Sequence, residues 1–162
     1  MRALITLALV AACLNLASAQ FNLSLKERLH RNWPIYTSLF VAGAADGLEE
    51  SIEHHWYIVE RKFPNINHRY WNPEVSWENK WKDGNPDLGP AYFGSTNFLV
   101  WTTDAYHLIR LVKHTSYSTA ICYSLYKGAK TPDPTIWDYL LDFAIGSAFR
   151  TAGYYLVYRG VF

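Results

Sequence analysis

The chain has 162 residues and a formal net charge of +1, with 15 Lys and Arg against 14 Asp and Glu. Acidic and basic residues are interspersed, so no basic stripe is available to neutralise phosphates, and a nucleic-acid partner is excluded. The 8 Phe, 7 Trp and 12 Tyr residues predict an aromatic-rich core that needs no disulfide.

Residues 1–19 have the three parts of a cleavable secretory signal peptide. Met1-Arg2 is positively charged, residues 3–17 are apolar, and Ala17-Ser18-Ala19 forms a small-x-small cleavage site. The sequence therefore predicts export through the secretory pathway, to the periplasm or cell envelope in a bacterium. Residues 20–162 are predicted to form a single helical domain.

Two helices are predicted in the first third of the exported chain. Ser24 and Glu27 have the spacing of a capping box, which predicts a short helix over residues 25–31. A second helix is predicted from Asn32, with Pro34 in its first turn, to about residue 62.

Residues 63–94 are rich in Pro, Asn, Gly and Trp and predict a long connecting loop. Trp71, Trp77 and Trp81 are expected to pin this loop over one end of the molecule. Exposed indole rings in such a loop would also suit the binding of a sugar or a lipid headgroup.

Three further helices are predicted after the loop, over residues 96–114, 117–126 and 134–159. Asp133 is the expected cap of the last helix. The fold class is therefore all-α, a bundle of four or five helices with a long Trp/Pro/Asn-rich connection.

Asp46, Glu50 and His54 recur at four-residue spacing, which places them on one helical face. Carboxylate and imidazole groups in such a cluster can bind a metal or act as acid and base. A solvated acidic face with local ion pairs is the alternative interpretation.

Asp104 and His107 form a second candidate pair, one helical turn apart among apolar residues. A carboxylate at this spacing fixes the histidine tautomer, as in catalytic dyads and around metal ligands. The alternative is a hydrogen bond that merely satisfies two buried polar groups.

Arg150 interrupts the apolar sequence of the last helix. A guanidinium in that position needs a carboxylate partner, for which an acid of the second helix or Asp104 is expected. Binding of an anion is the alternative role.

The segment W-N-P-E-V-S-W-E-N-K-W at residues 71–81, followed by T-D-A-Y-H at 103–107, resembles small uncharacterised bacterial helical proteins that are membrane-associated. The resemblance implies no activity. It implies membrane association and a role for Asp104 and His107.

Three functional hypotheses follow, and the sequence leaves open whether the protein is an enzyme. The first is a helical protein held at an envelope membrane by a membrane lipid or a membrane protein, with buried Asp, His and Arg residues that specify packing. The second is a metal-dependent or acid/base hydrolase that uses Glu50, His54, Asp104 and His107. The third is a binding module in which Trp71, Trp77, Trp81 and Arg150 contact a ligand. No particular metal or cofactor is indicated.

Overall fold

The computed structural model describes residues 23–128 and 134–161, and all regular secondary structure in these two ranges is helical. The predicted all-α class is confirmed. The α-helices are α1 Leu25–His54, α2 Trp56–Lys62, α3 His68–Trp71, α4 Pro73–Ser76, α5 Ala105–Gly128 and α6 Ile136–Val161. The predicted signal peptide and the predicted helix cap Asp133 lie outside the described residues.

Helix α1 is the centre of the fold. Both α5 and α6 pack along it, whereas the described parts of α5 and α6 make little contact with each other. Contacts with α1 show that α5 runs antiparallel to it, because Lys113 pairs with Glu49 and the later Tyr117 bonds to Asp46. Helix α6 runs parallel to α1, with Asp138 at Arg28 and Arg150 at Asp46.

The start of α1 confirms the predicted capping box, but the predicted break after residue 31 is wrong. Ser24 and Glu27 cap each other's backbone amides, and the helix then continues through Pro34 to His54. An interior proline removes one backbone hydrogen bond and costs about 3 kcal/mol. Arg28 and Tyr36 lie on either side of the proline, and both are buried in contacts with α6, so tertiary packing overrides the local preference.

Glycines bring the backbones of α1 and α6 into direct contact. A Cβ atom built on Gly43 would lie 1.9 Å from the carbonyl oxygen of Arg150, and one on Gly47 would lie 2.6 Å from that of Tyr154. On the facing helix, a Cβ on Gly153 would lie 2.1 Å from the carbonyl oxygen of Phe40. No larger side chain fits at these positions without separating the helices.

The connection over residues 63–94 is built from short helical pieces. It contains α3, α4 and the 3₁₀ turns Trp77–Lys80, Lys82–Gly84 and Pro86–Leu88. Asn79 fastens it by donating to the carbonyl oxygens of Arg69 and Thr103, at 2.6 and 3.1 Å. Ser95, which is fully buried, donates to the carbonyl oxygen of Lys80 at 2.8 Å.

The two helices predicted over residues 96–114 and 117–126 are replaced by a single helix, α5. Residues 95–104 form turns that include the 3₁₀ turn Val100–Thr102, so the predicted start at residue 96 is wrong. Helix α5 begins at Ala105 and runs unbroken to Gly128. The turn at Gly94 has a φ of +85°, a conformation that glycine adopts without strain.

Candidate functional site

Asp104 begins α5 as its N-cap residue. Its Oδ1 accepts a hydrogen bond from the backbone N–H of His107 at 2.9 Å, and its carbonyl oxygen accepts the N–H of Leu108 at 3.2 Å. Asp is among the preferred residues for this position because its side chain satisfies an otherwise unpaired amide. The cap explains why the helix begins here and not at residue 95.

The same carboxylate holds the imidazole of His107. Nδ1 of His107 lies 2.9 Å from Oδ1 and 2.8 Å from Oδ2 of Asp104, and Thr103 Oγ1 donates to Oδ2 at 2.8 Å. Asp104 is 1% exposed, whereas the His107 side chain is 27% exposed. The predicted hydrogen bond between the two residues is therefore present, with the acid buried and the ring reaching the surface.

The pKa of Asp104 lies below its ordinary value of 3.8. Burial raises this pKa, but hydrogen bonds from the side chain and backbone of His107 and from Thr103 outweigh the burial. Because an ionised carboxylate can only accept hydrogen bonds, Nδ1 of His107 is the donor in this pair.

A small pocket of about 210 Å³ lies beside this pair. Its lining residues come from α1, from α4 and the turn after it, and from the start of α5: Glu53, Pro73, Ser76, Trp77, Asp104, Tyr106 and His107. Glu53 also belongs to a neighbouring pocket of about 300 Å³, whose other lining residues are Asp46, Glu49, Glu50, Lys113, Arg150 and Tyr154.

The acidic face of α1 is paired with bases from both flanking helices. Lys113 of α5 contacts Glu49 and lies 3.3 Å from Asp46, and Arg150 of α6 pairs with Asp46 and donates to Tyr117. Burial lowers the pKa of Lys113, but the bonds to Glu49 and Asp46 outweigh it, so this pKa lies above its ordinary value. Arg150 thus has a partner from the second predicted helix, as expected, and not Asp104.

The predicted catalytic residues are distributed over separate places. Asp104 and His107 share the smaller pocket, Glu50 lines the larger one with Arg150, and His54 is exposed and lines neither. In the described ranges no group of three or more His, Cys, Asp or Glu side chains is placed to hold a metal ion.

The three loop tryptophans also differ in their surroundings. Trp71 is half-buried and packs against the hydrophobic core, Trp81 is half-buried, and Trp77 is 41% exposed beside His107. Stacking of a sugar ring requires exposed indole faces, and of the three only Trp77 is exposed.

An ion-pair network around Arg28 was missed by sequence reasoning. Arg28 is fully buried, pairs with Asp138 and lies 2.8 Å from Asp142, which also accepts a hydrogen bond from Tyr36 at 2.8 Å. Thr135 and Asp138 cap each other at the start of α6. The spacing of Thr135 and Asp138 was the available signal for this helix start, but nothing in the sequence joins it to Arg28.

Comparison with protein-family models, with curated proteins and with solved structures finds no match to this chain. Over the part of the chain that the structure describes, no helix has both the length and the apolar character needed to cross a bilayer.

Proposed function

We propose that this is an exported, non-enzymatic helical protein that associates with an envelope membrane through the outer surface of α6. The observation that carries the proposal is an apolar face on that helix. It consists of the side chains between residues 139 and 156 that are about half exposed or more: Tyr139, Leu140, Phe143, Tyr155 and Leu156.

The apolar face extends from residue 139 to residue 156, about 27 Å at 1.5 Å per residue. The only charged residues in this span are Asp142 and Arg150. Asp142 pairs with Arg28 of α1. Arg150 pairs with Asp46 of α1 and donates a hydrogen bond to Tyr117 of α5, so each charge has a partner on a neighbouring helix. Lipid is a partner that would cover such an exposed apolar surface.

Helix α5 has a similar outer surface. Between Arg110 and Lys127 no Asp, Glu, Lys or Arg side chain is exposed, because Lys113 is half-buried against α1. The exposed large apolar and aromatic residues there are Leu111, Val112, Ile121, Leu125 and Tyr126. Charged residues lie at the helix ends and between the helices. This distribution favours contact between lipid and the outer surfaces of α5 and α6 away from their ends.

Under this proposal the buried polar residues specify packing. Asp104 caps α5, Arg28 joins α1 to α6, and Asp46 holds a base from each flanking helix. Each group has a structural use that requires no substrate.

Fractionation of cells that express the full chain tests the proposal. We expect the protein in the membrane fraction, with its mature N-terminus at Gln20, and release by detergent but not by high salt. A variant with Leu140→Ser, Phe143→Ser and Leu156→Ser should shift to the aqueous fraction, because full burial of each such side chain in lipid stabilises the bound state by about 1.5–3 kcal/mol.

The matched control carries Val75→Ser, Leu88→Ser and Tyr92→Ser, three exposed residues of the connection. Quantitative recovery of the wild-type protein in the aqueous fraction would contradict the proposal.

A second candidate function is acid–base catalysis at the pocket beside Asp104 and His107. The observation that favours it is the imidazole of His107, which Asp104 orients in a pocket that Glu53 and Trp77 also line. Hydrolysis of a panel of activated aryl esters tests it, with His107→Ala expected to abolish any rate above background. His54→Ala is the control, since His54 lines neither this pocket nor the neighbouring one. Equal rates in both variants would reject this candidate.

A further inference from the structure

A third pocket, which we call the apolar pocket, opens at the end of the molecule where α1 ends and α2 begins. Its volume is about 620 Å³, within the range of 300–1,000 Å³ typical of small-molecule sites. Eight lining residues are apolar, and two are polar. The lining is Leu48, Ile52, Val59, Lys62, Phe63, Pro64, Asn65, Ile66, Trp71 and Val161.

The floor of the apolar pocket is part of the hydrophobic core. Ile52, Val59 and Val161 are 1%, 3% and 7% exposed and belong to one buried cluster. Leu48, Ile66 and Trp71 pack against that cluster from the sides. A ligand in this pocket would therefore contact core side chains from three helices. Such an apolar floor suits a hydrocarbon chain and offers no partner to a polar or charged group.

The polar residues of the pocket are Lys62 and Asn65, both exposed. The Nζ atom of Lys62 donates to the carbonyl oxygen of Gly160 near the end of α6, which places the ammonium group beside Val161 of the lining. An ammonium group can bind a carboxylate and the carbonyl oxygen together, because it has three donors.

We propose that the apolar pocket binds one acyl chain of a long-chain fatty acid, with the carboxylate at Lys62. The apolar lining and the volume select the chain, and the positive charge of Lys62 selects an acid over a neutral lipid. The proposal does not depend on the apolar face of α6, because the pocket can be filled by a monomeric fatty acid from water.

Tryptophan fluorescence provides the test, because Trp71 lines the pocket. A stearic acid brominated at mid-chain, added to the full chain in mild detergent, should quench fluorescence and saturate at one equivalent. Oleic acid should reverse the quenching by competition. Trp71→Phe should remove most of the quenching, whereas Trp77→Phe should not, since Trp77 lines a different pocket.

The role of the charge is tested by Lys62→Gln, with Lys82→Gln as the control at another exposed lysine. We expect Lys62→Gln to weaken binding of the acid about fivefold and to leave binding of its methyl ester unchanged. Quenching that does not saturate, or that is equal in wild type and Trp71→Phe, would overturn the acyl site. Equal affinity for acid and ester in the wild-type protein would overturn the role of Lys62.

Discussion

At the scale of single residues, most buried charges in this protein are used to fix helix ends and helix pairs. Asp104 shows this directly, because one carboxylate caps α5, holds the His107 ring and accepts the Thr103 hydroxyl. Arg28 shows it at the opposite end, where a fully buried guanidinium joins the start of α1 to the start of α6. These residues are polar because the backbone and the neighbouring helix require them to be.

Asp104→Asn should destabilise the protein most near neutral pH. Asn still caps the helix, but it loses the charge-assisted bond to His107, a loss of about 1–2 kcal/mol. The folded-state pKa of Asp104 is lowered, so its contribution is complete above the unfolded value of 3.8 and is lost as the pH falls through the folded value. Urea unfolding should therefore show a difference between wild type and variant at pH 7 that shrinks below about pH 4.

Asp87→Asn is the control for this experiment, because Asp87 is exposed in the connection. It should change the free energy of unfolding by less than about 0.5 kcal/mol at either pH. A difference for Asp104→Asn that is as large at pH 3 as at pH 7 would contradict the assigned role.

Arg28→Ala should cost about 3–5 kcal/mol in the free energy of unfolding, because it leaves the buried carboxylate of Asp138 without its partner. Adding Asp138→Asn should recover part of this loss by removing the uncompensated charge. Thermal unfolding of the two single variants and the double variant gives the coupling energy. A coupling energy near zero would show that the pair does not hold α1 to α6.

At the scale of the elements, local sequence signals predicted the first helix start well and the later helix starts poorly. The capping box at Ser24 and Glu27 predicted the start of α1, and the last helix was predicted to end within two residues of Val161. The local sequence at Asn32 and Pro34 favours a helix start, whereas the contacts that carry the helix through Pro34 come from residues more than one hundred positions away. The start predicted at residue 96 is also a local signal, and Asp104 is the cap that the fold uses.

The contact between α1 and α6 depends on glycine. Gly43→Ala should lower the free energy of unfolding by about 1–3 kcal/mol, because its Cβ would overlap the carbonyl oxygen of Arg150 and force the helices apart. Gly160→Ala is the matched control in the same helix pair, since a Cβ there meets nothing within 4 Å. Alanine at position 160 should leave stability unchanged or raise it by up to about 1 kcal/mol.

Thermal unfolding of both glycine variants measures this difference. Equal melting temperatures for Gly43→Ala and Gly160→Ala would mean that the two backbones can separate without cost, contrary to the packing described here.

At the scale of the whole molecule, the all-α class could be predicted from helical periodicity and caps, but the arrangement of side chains between helices could not. Glu50 and His54 share a helical stripe by spacing alone, yet the break at His55 and the position of α5 leave His54 exposed and Glu50 beside Arg150. Asp104 and His107 were predicted as a pair because an i, i+3 contact is local. The network of Arg28 with α6 was not, because it joins distant parts of the chain.

The central claim is that the apolar face of α6 lies in lipid, and spin labels test it most directly. Single cysteines are placed at Phe143 and Leu156 in a Cys13→Ser, Cys122→Ser background and labelled, and the protein is reconstituted into vesicles, with Val75 as the control position. We predict high accessibility to oxygen and low accessibility to a water-soluble nickel complex at positions 143 and 156, and the reverse at position 75. Equal accessibility to the nickel complex at all three positions would contradict the account.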